Sequence, residues 1–262
     1  MGRKTGNIDR AGPFLIVGEG DAAAVCIHGF GATPYEALPV GQALGKAGFH
    51  VVGPAVAGHA ILPLEEGFRV FRDTDRFQWL DSVRTEVTAL RERFRRVCLF
   101  GQSMGGLIAL RLAQEGLADA VAVTGAALIL PWPARWLAPL LKRVTFQVPD
   151  WNDEVPENPR YGIHASRPIH QLLELSRETV RNLDRVRCPV LACHSKRDST
   201  ITPRVVGLLE ENLGGPLDVR WFHRSGHTMT LDVEAEEVSE AVVRFLVRQV
   251  ASLSERRANP AC

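Results

Sequence analysis

The most constraining feature of this chain is a serine between two glycines, Gly101, Ser103 and Gly105, in the pattern G-x-S-x-G. Residues 97–100 before it form a short apolar run that predicts a buried strand, and residues 104–115 after it have helical apolar spacing without proline. A serine at such a strand-to-helix turn is typical of a nucleophile elbow, whose backbone is strained. The glycines are needed because side chains there would collide with the neighbouring strand and helix. Since the bare pattern is common, its strand and helix context carries the prediction.

Two later residues complete a predicted catalytic triad with Ser103. A serine hydroxyl is a poor nucleophile until a base takes its proton, and that base needs a third group to orient it. The chain order expected after an elbow is an acid and then a histidine. Asp198 follows a predicted strand at residues 189–194, and His227 follows one at residues 217–222. Because parallel strands end at one edge of a sheet, we predict Ser103 as nucleophile, His227 as general base and acid, and Asp198 as the orienting carboxylate.

Backbone donors for the developing oxyanion are predicted at Phe30 and Met104. An apolar run at residues 25–27 leads into a glycine-rich loop that starts at His28. Hydrolases with this elbow take one N–H group from such a loop and one from the residue after the nucleophile. Met104 also begins a helix, whose N-terminus carries partial positive charge. His28 lies in the wrong loop for a second base, so we interpret it as a structural residue that shapes the oxyanion loop.

Other polar residues near the triad are interpreted as structural. Asp232 is a competing acid because it lies close to His227, but it stands at a predicted helix start, where an N-cap role is favoured. His223 and His227 are spaced like helical metal ligands, yet the intervening Ser225 and Gly226 argue against a helix there. The cysteines show no zinc-binding spacing either. No metal ion is therefore expected.

With these residues in place, the chain resembles the α/β-hydrolase superfamily over most of its length, and within it the bacterial carboxylesterases and monoacylglycerol lipases. The segments that carry the resemblance are HGFGATP (28–34), GQSMGG (101–106), HSKRDSTITP (194–203) and SGHTMTLD (225–232). Two positions depart from the family: Ala32 follows Gly31 where Phe-Thr-Gly or Phe-Gly-Gly is usual, and Gln102 replaces the more common Leu or His. The resemblance implies hydrolysis of carboxylic esters through an acyl-enzyme, without a cofactor.

The order of predicted elements agrees with an α/β-hydrolase fold, a mostly parallel sheet with helices on both faces. Strands are predicted near residues 14–17, 23–27, 50–52, 97–100, 121–124, 189–194 and 217–222, and helices near 35–47, 77–94, 104–115, 171–183, 203–213 and 233–253. The stretch between the third strand and residue 77 is interpreted as a loop. We assign residues 1–125 and 172–262 to the hydrolase core.

Residues 126–171 interrupt this alternation and are predicted to form a small cap. The stretch is rich in proline, shows no clear strand, and lies where the superfamily inserts its cap. A short apolar helix around Trp136 would cover the serine and bind an acyl chain, or would simply pack on the core. The small apolar cap favours short-to-medium acyl chains or monoacylglycerols. Thioester, amide or C–C hydrolysis, or a slow-turnover ligand receptor, remain alternatives on the same triad.

Composition restricts the other classes of partner. The chain has 31 basic and 30 acidic residues among 262, so it offers no electrostatic reason to bind nucleic acid or an anionic membrane. No run is long and apolar enough to insert stably into a membrane. Cys26, Cys98 and Cys193 fall in predicted buried strands, which favours a reducing, cytoplasmic location. The expected partner is therefore a small-molecule ester.

Overall fold

A seven-stranded sheet forms the centre of the described part of the chain. The structure, a computed structural model, describes residues 11–131, 147–149, 159–161 and 163–258. In spatial order, the strands are β1 (Phe14–Ile16), β3 (His50–Gly53), β2 (Ala22–Ile27), β4 (Arg96–Gln102), β5 (Ala120–Thr124), β8 (Val190–Ser195) and β9 (Leu217–Phe222). β1 pairs with β3 in the antiparallel sense, and the other neighbouring pairs are parallel. The mostly parallel sheet predicted from the sequence is confirmed.

Helices cover both faces of this sheet. They are α1 (Leu38–Lys46), α2 (Leu64–Phe71), α3 (Arg76–Arg93), α4 (Met104–Gln114), α5 (Ser166–Arg181), α6 (Arg204–Asn212) and α7 (Ala235–Ala258). Alternate residues of β2 point to opposite faces: Val25 and Ile27 pack with α3, α4 and α5, whereas Ala24 and Cys26 pack with α1 and α7. A strand buried on both faces needs a continuous apolar sequence, as β2 has. None of the described helices is both long and apolar enough to cross a membrane.

Helix α2 lies where the sequence analysis predicted a loop, and that prediction is wrong. Gly67 lies inside the helix, at a position where an added Cβ would lie 2.3 Å from the carbonyl oxygen of Ile61. The glycine permits this close approach, but it also weakens the local helical signal. Phe68 and Phe71 are buried by the helix, so tertiary packing compensates for its poor intrinsic propensity.

The predicted cap at residues 126–171 is described only in part. β6 (Gln147–Pro149) and β7 (Ile163–Ala165) form an antiparallel pair, so the expectation of no strand in this stretch is wrong. Helix α5 begins at Ser166, earlier than the predicted start at residue 171. The helix expected around Trp136 lies outside the described residues.

Candidate active site

Ser103 lies at the strand-to-helix turn between β4 and α4, where the sequence pattern placed it. Its φ of 53° and ψ of −112° are rarely adopted by a non-glycine residue, so the turn is strained. The backbone is held from both sides: the N–H group of Ser103 donates to Thr124 O at 2.9 Å, and Ser103 O accepts from Gly106 N at 3.0 Å. These bonds fix the serine at the carboxyl edge of the sheet.

The two glycines of the elbow are required by space. A Cβ added to Gly101 would lie 2.2 Å from the carbonyl oxygen of Gly105. A Cβ added to Gly105 would lie 2.2 Å from the carbonyl oxygen of Ile27, at the end of β2. Both obstacles are backbone atoms, which cannot rotate away as a side chain can. The elbow therefore packs directly on the strand that leads into the predicted oxyanion loop.

Three residues from three loops meet at the carboxyl edge of the sheet. His227 Nε2 lies 3.0 Å from Ser103 Oγ, and His227 Nδ1 lies 2.8 Å from Asp198 Oδ2. Because the carboxylate only accepts hydrogen bonds, Nδ1 carries the proton and donates it. Nε2 is then the acceptor that faces the serine hydroxyl, as a general base requires. The structure thus brings together the three residues predicted as a triad.

Asp198 is held as an anion by bonds to both of its oxygens. Oδ1 accepts from the N–H groups of Thr200 at 2.9 Å and Ile201 at 2.7 Å, which leaves Oδ2 for His227. Burial by itself raises the pKa of Asp198, but the charge and hydrogen bond of His227 and the Ile201 N–H bond lower the pKa below its ordinary value overall. The carboxylate is therefore ionised and fixed in orientation at neutral pH.

The competing acid, Asp232, does not reach the imidazole of His227. Its Oδ2 accepts from the N–H group of Gly226 at 2.7 Å, and its Oδ1 accepts from the N–H group of Val233 at 2.7 Å. Helix α7 begins just after these residues, at Ala235. Asp232 therefore shapes the loop that carries the histidine and the approach to the helix.

Glu234 organises the same loop and was missed by the sequence analysis. This buried carboxylate accepts from the N–H groups of His223 at 3.3 Å, Arg224 at 2.9 Å and Ser225 at 2.8 Å. Burial by itself raises the pKa of Glu234, but the hydrogen bonds from Ser225, Arg224 and His223 bring the pKa to about 2. The ionised side chain thus fixes the backbone just before His227. No local pattern distinguishes it from other glutamates at a helix start.

Replacing this carboxylate is expected to reduce stability in a pH-dependent way. Since the folded-state pKa of about 2 lies below the ordinary 4.5, the stabilisation is complete above pH 4.5 and is lost as pH falls towards 2. The shift corresponds to about 3 kcal/mol, which solvent screening lowers to about 2 kcal/mol. Urea unfolding should therefore show Glu234→Gln less stable by that amount at pH 7, with the deficit shrinking by pH 3.

The control for this measurement is Glu237→Gln, since exposed Glu237 pairs with the same Arg224 at 2.8 Å. An exposed pair of this kind contributes little, so the control should match the wild type at each pH. A Glu234→Gln deficit that stays constant between pH 7 and pH 3 would contradict the assigned role of the carboxylate.

The predicted oxyanion loop is braced by two buried polar side chains. His28 Nδ1 donates to Gly29 O at 2.8 Å, and its Nε2 accepts from the N–H group of Val56 at 3.1 Å. Burial lowers the pKa of His28 to about 4, so the ring is neutral at pH 7. Glu36 Oε2 accepts from the N–H group of Gly29 at 2.8 Å. The loop lies against the nucleophile, because a Cβ on Gly29 would be 3.5 Å from Ser103 Cβ.

Phe30 and Met104, the predicted oxyanion donors, lie on either side of this contact. Met104 is the first residue of α4, where helix geometry leaves the backbone N–H groups without intrahelical acceptors. The ring of Phe30 is held by aromatic packing. Its centroid lies 5.1 Å from that of Phe71, 5.9 Å from that of Trp79 and 6.4 Å from that of His59. The aromatic residues from α2 and α3 thus support the loop, which explains why α2 is needed at this position.

Tyr161 ties the return of the predicted cap to the oxyanion loop. Its N–H group donates to Gly31 O at 3.1 Å, and its hydroxyl donates to Gly58 O at 2.7 Å. Its ring also packs on Phe71, with centroids 5.4 Å apart. No signal in the sequence could have linked this tyrosine to residues so far away along the chain.

A pocket opens above Ser103 and His227. Its described lining is mostly apolar, with polar groups near the serine: Gly29, Phe30, Ala32, Glu36, Gln102, Ala127, Leu130, Pro131, Arg160, Leu172, Thr200 and Ile201. Such a site suits a substrate with an apolar arm next to a polar reacting centre. Among the described residues, no three His, Cys, Asp or Glu side chains come together in a way that could hold a metal ion.

Comparison with known proteins agrees with this architecture. The Alpha/beta hydrolase family matches residues 24–241. The thermostable monoacylglycerol lipase of Bacillus sp. (strain H-257) is 26% identical over 249 residues, which cover 91% of this chain and 95% of that protein. The carboxylesterase of Bacillus subtilis (strain 168) is 22% identical over 242 residues, covering 89% and 95%. A structure reported for the metagenome-derived lipolytic enzymes LipS and LipT has a TM-score of 0.83 at 22% identity, covering 91% of this chain and 98% of that one.

The family match spans most of the chain and includes Ser103, Asp198 and His227. This protein therefore belongs to the alpha/beta hydrolase family. In this member of the family, the sheet has one antiparallel edge strand, and the turn that carries Ser103 follows β4.

Proposed function

We propose that this protein is a serine hydrolase that cleaves carboxylic esters through an acyl-enzyme. The observation that carries the proposal is the continuous chain of contacts from Ser103 Oγ through His227 to Asp198, at 3.0 and 2.8 Å, on a strained elbow. A serine oriented in this way is activated for attack on an acyl carbonyl. The two relatives from Bacillus, a monoacylglycerol lipase and a carboxylesterase, support an ester as the scissile group.

In the proposed mechanism, each residue has a separate step. His227 Nε2 accepts the hydroxyl proton as Ser103 Oγ attacks the ester carbonyl, while Asp198 stabilises the imidazolium that forms. The N–H groups of Phe30 and Met104 stabilise the tetrahedral oxyanion, and the helix N-terminus at Met104 adds to this field. His227 then protonates the departing alcohol, which leaves the acyl group on Ser103. A water molecule, deprotonated by His227, releases the acid by the same route.

The pocket favours an acyl chain of short to medium length or a monoacylglycerol. Leu130, Leu172 and Ile201 supply apolar surface for the acyl arm, and Thr200 and Glu36 supply polar groups near the reacting centre. We place the cap at residues 126–171, where it would complete the wall of this pocket. Amide, thioester and C–C hydrolysis use the same triad and are therefore tested as alternatives.

The proposal predicts turnover of p-nitrophenyl esters, with a maximum at an intermediate chain length between acetate and palmitate. Hydrolysis of monoacylglycerols, measured by release of fatty acid, should follow the same length preference. A fluorophosphonate should add covalently to Ser103, located by the mass of the modified peptide. The Ser103→Ala variant provides the blank for all three measurements.

Matched p-nitroanilides, thioesters and a β-diketone test the alternative bonds. Ester turnover at least tenfold faster than that of the matched amide and thioester would support the proposal. Turnover of the thioester, amide or diketone without turnover of any ester would overturn it. Labelling of Ser103 with only a single turnover would instead identify a ligand receptor.

A further inference from the structure

Gln102 connects the nucleophile's strand to the loop of the base. It is the last residue of β4, directly before Ser103, and its side chain is buried. Gln102 Nε2 donates to the carbonyl oxygen of His227 at 2.9 Å, and Gln102 Oε1 accepts from the hydroxyl of Thr124. Thr124 is the register partner of Gln102 on β5, and its carbonyl also accepts from the N–H group of Ser103. The amide thus joins the backbone of the base to both strands under the nucleophile.

The chemistry of the partners fixes the orientation of this amide. A backbone carbonyl such as His227 O can only accept, so the NH₂ group of Gln102 must face it. Oε1 then faces Thr124, whose hydroxyl can donate. All three groups are buried, where an unpaired donor or acceptor is unfavourable, so each bond stabilises the other.

We propose that Gln102 is a positioning residue for His227, and that Thr124 holds Gln102 in its working orientation. Along the sheet, the strands that precede Ser103 and His227 are separated by three neighbouring pairs, from β4 through β5 and β8 to β9. The amide adds a direct link of one side chain between Gln102 and His227 O, which helps to restrain the 3.0 Å contact between Ser103 Oγ and His227 Nε2. The inference rests on the proposed function, because it assigns His227 as the base.

Gln102→Met tests the proposal, since methionine keeps the length of the side chain and removes the donor. Loss of a restraint next to the base should lower kcat about 10- to 100-fold, because small displacements of reacting groups reduce rates steeply. Gln102 borders the pocket, but both polar groups of its side chain are bonded to His227 O and Thr124, so KM should stay within about twofold. The rate of Ser103 modification by a fluorophosphonate should fall in parallel.

Thr124→Val should lower kcat in the same direction by about 3- to 10-fold, and Thr124→Ser, which retains the hydroxyl, should restore it. If the two residues act as one unit, the double variant should be no slower than Gln102→Met alone. A double variant whose losses multiply would overturn the role of Thr124.

Gln114→Met is the matched control for loss of stability. Gln114 is also buried, and its Nε2 donates to a backbone carbonyl, Thr179 O, at 2.8 Å, far from the triad. It should lower the Tm about as much as Gln102→Met but leave kcat and the labelling rate unchanged. Equal kcat in wild type and Gln102→Met would overturn this inference and leave ester hydrolysis intact. If the wild type hydrolyses no ester, the proposed function fails. The role of Gln102 is then tested only by comparing the rates of Ser103 labelling in the wild type and in Gln102→Met.

Discussion

Asp198→Asn is expected to lower kcat for ester hydrolysis about 10⁴-fold while the fold is retained. The reason lies in the two bonds to Oδ1. The N–H groups of Thr200 and Ile201 both point at this oxygen, so an asparagine must place its own oxygen there. Its NH₂ group then takes the position of Oδ2, 2.8 Å from His227 Nδ1, and faces the ring as a donor.

The consequence is a change of tautomer in the base. Nδ1 must now accept, so the proton of the neutral ring moves to Nε2, which faces Ser103 Oγ at 3.0 Å. An Nε2–H group cannot take the hydroxyl proton, and the developing imidazolium also loses its carboxylate partner. KM should change little, because Asp198 is buried behind the histidine and away from the pocket. Steady-state kinetics on the preferred ester, with circular dichroism as a check of the fold, measures the effect.

Asp232→Asn is the matched control, since both acids lie close to His227 but only Asp198 meets its ring. Within the described part of the chain, Asp232 accepts from two backbone N–H groups, those of Gly226 and Val233. Its replacement should weaken the loop and lower the Tm, with kcat reduced by no more than about tenfold. Losses of similar size in the two variants would contradict Asp198 as the orienting acid of the triad.

Ser103, Asp198 and His227 could be predicted as candidates because each stands shortly after the carboxyl end of a strand, β4, β8 and β9 respectively. A strand and the loop that follows it can be recognised from a local pattern of apolar residues and turn residues. Parallel strands then bring their carboxyl ends to the same edge of the sheet. The same local pattern gave the position of β4 and the start of α4, although β4 extends beyond the predicted residues 97–100 at both ends. Such a pattern gives information only about residues that are close together in the sequence.

The supporting contacts could not be predicted for the same reason. Gln102 bonds to the backbone of His227, and Tyr161 bonds to Gly31 and Gly58, across long separations in sequence. The residues next to a glutamine or tyrosine in the sequence do not indicate which distant group its side chain will hydrogen-bond. Gln102 was noticed only as a departure from a familiar motif, and its two hydrogen bonds require the folded sheet.

Helix α2 and the pair β6–β7 show a second limit. In α2, packing of Phe68 and Phe71 outweighs the cost of Gly67, so tertiary contacts decide an element that local propensity opposes. β6 is three residues long and ends in a proline, which suits only the edge of a sheet. Short elements of this kind depend on their partner and leave no periodic signal of their own.

Gly105→Ala is expected to abolish most of the activity by forcing the elbow away from the oxyanion loop. The new Cβ would lie 2.2 Å from Ile27 O and 2.7 Å from His28 O, far inside the contact distance of real side chains. Relief requires a shift of α4 or of β2, and β2 continues directly into the loop that carries Phe30. Either shift changes the spacing between Ser103 and one of the proposed oxyanion donors, so kcat should fall about 10³-fold.

Gly207→Ala tests whether this loss comes from the elbow or from any added methyl group in a helix. Gly207 lies in α6, and a Cβ there would meet nothing within 4 Å. Alanine should therefore stabilise that helix by about 0.5–1 kcal/mol and leave kcat unchanged. Gly105→Ala should instead cost about 3 kcal/mol or more of unfolding free energy, measured by urea unfolding beside the kinetics. A folded Gly105→Ala variant that keeps more than a tenth of wild-type kcat would contradict this prediction. It would show that the elbow tolerates a side chain at Gly105, and that packing against β2 does not set the distance between Ser103 and the proposed oxyanion loop.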